Sequence, residues 1–125
     1  MKKINTEISF SDERGDISDL IENEEINSIT RISFNSGAIR ANHYHKKTFQ
    51  WNYVLSGEIR LVTQMPNQEP EEIVMHEGDL YETVPMESHA LQCVSENALL
   101  LVFTKGPRAG KDYESDTFSL DKSLI

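Results

Sequence analysis

Short segments in which apolar and polar residues alternate recur along this chain, and no stretch keeps a helical period for long. Successive side chains of a strand point to opposite faces, so a period of two marks a strand with one buried face. On that basis Ile17–Ile21, Ser28–Phe34, Ile39–His45, Phe49–Leu55, Glu58–Thr63, Glu72–His76, Asp79–Thr83, Ala90–Val94 and Ala98–Thr104 are predicted strands. Turn formers separate them at Asn35-Ser-Gly37, Ser56-Gly57, Glu77-Gly-Asp79 and Ser95-Glu-Asn97, and the proline-bearing stretch Met65–Glu71 reads as an exposed hairpin loop. The expected class is all-β. A chain of 125 residues supports one domain, 1–125, with one core and no room for a second. The tail over 105–125 is rich in turn formers and charge, and it either wraps the mouth of the fold or hangs free.

Charge narrows the choice of partners. Twelve Lys and Arg against 21 Asp and Glu leave a formal charge of −9, which opposes sequence-independent nucleic-acid binding and docking on anionic membranes, because both need a cationic face. The acidic runs Glu22-Asn-Glu-Glu25 and Glu69-Pro-Glu-Glu72 read as solvated surface. No apolar run is long enough for a membrane span, and the opening Met1-Lys-Lys-Ile-Asn-Thr-Glu7 lacks the apolar stretch of a signal peptide. A cytoplasmic protein with a small-molecule ligand is expected. Cys93 is the single cysteine, so no internal disulfide forms, and it reads as a small buried apolar group.

The chemistry gathers in the run Gly37-Ala-Ile-Arg-Ala-Asn-His43-Tyr-His45-Lys-Lys-Thr-Phe-Gln50. On a strand His43 and His45 share a face, where two imidazoles can grip one metal ion or one ligand. If they point inward, Ile39 and Ala41 follow them, while Arg40, Asn42 and Tyr44 point outward. Arg40 reaches the inside only if the strand bulges or the site is shared between subunits. On the next strand Gln50, Asn52 and Val54 form one face, and Trp51, Tyr53 and Leu55 the other. The bulky second face favours packing between sheets or subunits, hence a homodimer.

The spacing resembles the first motif of the cupin barrels: a glycine, five residues, His-x-His, four residues, a carboxylate, six residues, a glycine. Every interval from Gly37 to Gly57 is matched, with Gln50 in the carboxylate position. The segment from Gly78 to His89, with Pro85 between, resembles the second motif; Met86 stands in the usual glycine position and Val84 in a usual proline position. The resemblance implies a double-stranded β-helix, the cupin jelly-roll barrel, with core motifs over 37–89. It also places Gln50 inward, with Asn52 following, and brings His89 to the same interior.

Polar groups converging in a barrel interior need partners. Three imidazoles with an oxygen donor suit a divalent transition ion such as Zn, Fe, Mn or Ni, so His43, His45, Gln50 and His89 form one candidate metal set. Gln in place of Glu removes a charge and weakens the attraction. The alternative is a hydrogen-bonded network without metal. His76, beside Glu77-Gly78 at a turn, reads as surface.

Within the cupins, Arg40 followed by His43-Tyr-His45-Lys-Lys-Thr-Phe-Gln50 resembles the branch acting on nucleotide-linked sugars, the 3,4-ketoisomerases and, more distantly, the 3,5-epimerases. The opening Asp12-Glu-Arg-Gly-Asp16 is similar to theirs, whereas Phe49 stands where that branch has Glu. The resemblance implies that His43 and His45 shuttle protons beside a keto group and that Arg40 contacts a diphosphate; Asn52, facing inward with Gln50, is a further candidate substrate contact. Imidazole titrates near neutrality and guanidinium pairs with phosphate oxygens, so the chemistry is consistent. Three readings follow: a metal-binding cupin acting on or recognising a small carbohydrate-like molecule, a metal-free nucleotide-sugar isomerase or epimerase, and a non-catalytic small-molecule sensor.

Overall fold

The computed structural model describes residues 1–107 and 115–125. Their strands are β1 (Lys2–Ile4), β2 (Phe10–Asp12), β3 (Gly15–Ile17), β4 (Ser28–Asn35), β5 (Ile39–Tyr44), β6 (Phe49–Ser56), β7 (Ile59–Gln64), β8 (Glu71–Met75), β9 (Leu80–Thr83), β10 (Ser88–Cys93), β11 (Asn97–Lys105) and β12 (Phe118–Ser119). Two five-stranded sheets, ordered β1-β9-β6-β11-β4 and β12-β5-β10-β7-β8, face each other, and β2 and β3 form a separate hairpin. Consecutive strands from β4 to β11 switch between the two sheets or pair within one, and every pairing is antiparallel. This is the all-β jelly roll, the double-stranded β-helix implied by the cupin resemblance.

Alternation along each strand fills the space between the sheets. In β11, Ala98, Leu100, Val102 and Thr104 are buried while their neighbours are exposed or half-covered. Phe34, Val54, Ile59, Leu61, Met75, Leu91, Cys93, Ala98, Leu100 and Val102 make one contiguous apolar cluster. Cys93 packs in it as a small apolar group.

The long predicted strands stand, with ends shifted by a residue or two, whereas Ile17–Ile21 does not: only Ile17 is in a strand, at the end of β3. Local turn chemistry prevails there. The Asp12 carboxylate accepts hydrogen bonds from Arg14 N at 2.9 Å and Arg14 Nε at 3.0 Å, which closes a hairpin pairing Phe10 with Ile17. Strands β1 and β12 are too short to show a period and exist by pairing with β9 and β5. Trp51 belongs to the face expected to be outward, yet it is buried within the single chain and donates to Glu82 Oε2 at 3.0 Å. It is therefore withdrawn from the aromatic surface that suggested a dimer.

Residues 115–125 fold back onto the barrel, with Phe118 opposite Tyr44 and Ser119 opposite His43. Of the two fates expected for the tail this part takes the first; the stretch 108–114 lies outside the described residues.

Left-handed backbone recurs at the turns, and at two of them it meets a specific constraint. Gly57 has φ +80°, and an added Cβ would meet the Asn97 carbonyl oxygen and stand 2.8 Å from Ala98 Cα. Met86, in the position where the second motif usually has glycine, holds φ 70° and donates its N–H to the His45 carbonyl at 2.6 Å. The turn thus takes the backbone form that a glycine adopts without strain. Opposite effects are expected in urea denaturation: Gly57→Ala destabilises by about 2–4 kcal/mol through strain plus overlap, and Met86→Gly stabilises by up to about 1 kcal/mol.

Candidate functional site

The site begins with an irregularity in β5. His89 pairs with His43 and Ala90 with Ala41, so Asn42 is an extra residue in the ladder, a β-bulge. Ala41 and Asn42 hold φ of 71° and 56°, a conformation that Asn tolerates and Ala resists. Asn42 is held from outside the strand. Its Oδ1 accepts from Leu124 N at 2.8 Å, its Nδ2 donates to the Ile125 carbonyl at 3.3 Å, and its own carbonyl accepts from Leu120 N at 3.0 Å.

The bulge reverses the parity upstream of it. Arg40, expected outward, contributes to the lining of the cavity while staying exposed, and Ile39, expected inward, is 48% exposed. One inserted residue accounts for both, because it reverses the parity of Arg40 and Ile39; Ala41, next to the insertion and expected inward, still borders the cavity. The Arg40 guanidinium lies over the Phe34 ring at 5.3 Å and donates from Nη2 to the Ser33 carbonyl at 3.1 Å.

The cavity has a volume of about 290 Å³. Its polar lining comes from Arg40 and His43 of β5, Gln50 and Asn52 of β6, and His89 of β10, with Ile32, Leu91 and Val102 interspersed among them. Gln50 and Asn52 share the inward face of β6 as their two-residue spacing requires, and Asn52 Nδ2 donates to the Tyr81 carbonyl at 3.2 Å. His45 sits behind this lining, buried, with its ring centroid 4.8 Å from that of His43 and 5.3 Å from that of His89. His76 is 63% exposed at a distant turn, between Glu58 and Asp79.

Backbone carbonyls orient two of the three rings. His45 Nδ1 lies 2.7 Å from the Asp116 carbonyl oxygen, and His89 Nδ1 lies 3.1 Å from that of Glu87. A carbonyl only accepts, so each Nδ1 carries the hydrogen, and in the neutral ring Nε2 holds the lone pair. One donor nitrogen from each of His43, His45 and His89 lies within 4.8 Å of the others. Burial pushes His43 down to about 4, helped by the nearby His45 charge. Burial likewise pushes His89 down to about 3, with the charges of His43 and His45 adding to it and the Glu87 hydrogen bond opposing. Both rings are neutral at pH 7, the state that binds a metal or accepts a proton.

Asp116, which nothing in the sequence pattern singled out, completes the surroundings. It is 3% exposed, and its carboxylate accepts from Lys46 N at 2.9 Å, Lys47 N at 3.0 Å and Thr48 Oγ1 at 2.7 Å. Burial raises its pKa, but these hydrogen bonds and the charge of His45 outweigh that and hold the carboxyl below the usual range. Asp116 is far from the motifs in sequence and lies in a segment without periodicity, so its role becomes visible only in the fold.

Comparison with known proteins gives a matching family, the cupin domain, over residues 30–104. No curated protein matches the chain. Among solved structures, the sugar 3,4-ketoisomerase QdtA from Thermoanaerobacterium thermosaccharolyticum, in complex with TDP, is similar with 20% identity and a TM-score of 0.72 over 96% of this chain and 84% of that one. A mutant of QdtA in complex with TDP-4-keto-6-deoxyglucose gives 19%, 0.72, 95% and 83% for the same measures. The TDP-quinovose 3,4-ketoisomerase WlaRB from Campylobacter jejuni gives 22%, 0.74, 84% and 84%. At these identities the likeness is one of fold.

The depressed histidines generate a pH dependence whose sign is fixed. Between the unfolded value of 6.5 and the folded values of about 4 and about 3, the unfolded chain binds protons that the folded chain refuses, so stability falls as pH drops through this window and is unaffected by these groups above it. Urea midpoints measured across the window are expected to fall less steeply for His89→Gln than for the unaltered chain.

Proposed function

We propose that this chain, which belongs to the cupin family, binds a nucleotide-linked keto sugar in the cavity of its barrel and moves the keto group between neighbouring carbons. The observation that carries the reading is the placement of Arg40 and His43 on one wall, which the β5 bulge makes possible. A cavity of about 290 Å³ lies just below the usual range of ligand pockets, about 300–1,000 Å³; it takes the sugar ring and leaves the nucleotide outside. Arg40 there meets the diphosphate, for which a guanidinium fork is suited. Proteins of the same fold are 3,4-ketoisomerases, one of them in complex with TDP-4-keto-6-deoxyglucose.

The reaction moves protons without net oxidation. A base takes the proton from C3 of a 4-keto sugar, the electron pair forms an enediol, and a proton returned to C4 leaves the keto group at C3. The C3 hydroxyl releases its proton and the C4 oxygen gains one, so atoms and electrons balance. His43 lines the cavity with a neutral ring and serves as the base. His45, its ring centroid 4.8 Å away, backs it with a neutral Nε2, its Nδ1–H being held by the Asp116 carbonyl, and His43 returns the proton to C4. The diphosphate brings negative charge, which raises the His43 pKa from about 4 toward the range where an imidazole both accepts and donates efficiently. Gln50 and Asn52 offer amides to the sugar hydroxyls.

The clustering of His43, His45 and His89 donor atoms within 4.8 Å favours a second reading. Together with the Gln50 amide they would hold a divalent transition ion, Zn, Fe, Mn or Ni, as neutral nitrogen donors of the right chemical type. When bound, such an ion supplies Lewis-acid polarisation of a substrate oxygen. Elemental analysis of untagged protein tests this: near-stoichiometric metal lost from both His43→Ala and His89→Ala establishes a metal centre, and metal-free protein removes it.

Incubation with TDP-4-keto-6-deoxyglucose in deuterium oxide is expected to give the 3-keto isomer with deuterium at the carbon reprotonated. His43→Asn is expected to lower kcat by about 10²–10⁴-fold, and Arg40→Ala to act mainly on KM. Binding without exchange or product from TDP-, UDP- and GDP-linked 4-keto sugars would instead make the chain a sensor.

A further inference from the structure

We propose that Asp116 is a positioning residue for the site, its carboxylate clamping the turn that follows His45 and its main-chain carbonyl fixing the tautomer and direction of the His45 ring. The consequence for turnover rests on the isomerase reading above; the effect on the ring does not.

Four consecutive residues converge on this one side chain and its carbonyl. Lys46 N, Lys47 N and Thr48 Oγ1 donate to the carboxylate at 2.9, 3.0 and 2.7 Å, and His45 Nδ1 donates to the carbonyl at 2.7 Å. The clamped turn joins β5 to β6, the two strands that carry His43, Gln50 and Asn52. Asp116 is 3% exposed and Thr48 is equally buried, so water does not replace these partners without rearrangement. A carboxylate suits the place because both oxygens accept, Oδ1 from Lys46 and Oδ2 from Lys47 and Thr48. An asparagine there would set its NH₂ group against one of two N–H donors. By holding the segment in place, the carboxylate also holds the carbonyl that keeps hydrogen on His45 Nδ1 and the lone pair on Nε2. A ring without a fixed acceptor divides between tautomers, and an orienting partner of this type governs the basicity and aim of the opposite nitrogen.

The test is long-range ¹H–¹⁵N correlation of the imidazoles in the full-length, metal-free chain at neutral pH, for the unaltered protein, Asp116→Ala and Asp116→Asn. The expected result is an Nδ1–H tautomer at His45 and His89 in the unaltered chain. In both variants His45 becomes mixed or inverted while His89, anchored on Glu87, is unchanged. Turnover of the keto sugar then falls about 10–100-fold in kcat with KM little altered. General loosening of the barrel would instead move both rings. An unchanged His45 tautomer in either folded variant overturns the proposal, as does an Nε2–H tautomer in the unaltered chain; should Asp116→Ala fail to fold, the isosteric Asp116→Asn decides. An inactive unaltered protein whose variants still shift His45 alone would remove the isomerase reading and leave the clamp standing.

Discussion

The arrangement of the cavity depends on one local constraint, the left-handed backbone at Ala41 and Asn42. Residues an odd number apart on a regular strand face opposite ways, so Arg40 and His43 share a wall only because Asn42 is inserted between paired positions. A left-handed residue costs about 1–2 kcal/mol when it is not glycine, and contacts from residues 120–125 offset that cost by occupying both the amide and the carbonyl of Asn42. The same C-terminal segment supplies Asp116, whose bonds fix the turn beyond His45. Both ends of the functional stretch of β5 are thus held by chain arriving from far along the sequence.

Electrostatics follow from that packing. Two of the three clustered histidines, His45 and His89, are buried, and His43 is half-buried against them. Desolvation and mutual repulsion keep His43 and His89 neutral. The carbonyls of Asp116 and Glu87 determine which nitrogen of each partner ring bears the lone pair. Leu91 stands beside Arg40 and Val102 beside Asn52 in the ladders, so with Ile32 they set apolar groups between the polar ones of the lining. The metal and metal-free readings draw on the same property, neutral imidazoles held close together.

Legibility in the sequence followed the range of the determining interactions. Long strands such as β4 and β11 show their period directly because their burial alternates. The inward faces of His43, Gln50 and Asn52 were readable from spacing, and the structure places all three on the cavity. The three-residue β1 and the two-residue β12 carry too few positions to display a period. At Ile17–Ile21 the Asp12–Arg14 turn closed a hairpin earlier than the apolar pattern suggested. Met86 occupies a glycine position and still adopts φ 70°, so the turn survives a residue that propensity alone would exclude.

By itself the sequence determined the all-β class, the two histidine-bearing motifs and the residues that face the interior of β6, because side-chain alternation is a property of neighbours along the chain. Only the tertiary structure decided that Arg40 joins the lining of the cavity, that buried His45 is not part of that lining and that Asp116 and Asn42 hold the two ends of this stretch. Those outcomes depend on a bulge and on hydrogen bonds between segments some seventy to eighty residues apart. Such bonds leave no periodic trace in either segment, because each partner is an ordinary polar residue until folding removes the water that would otherwise satisfy it.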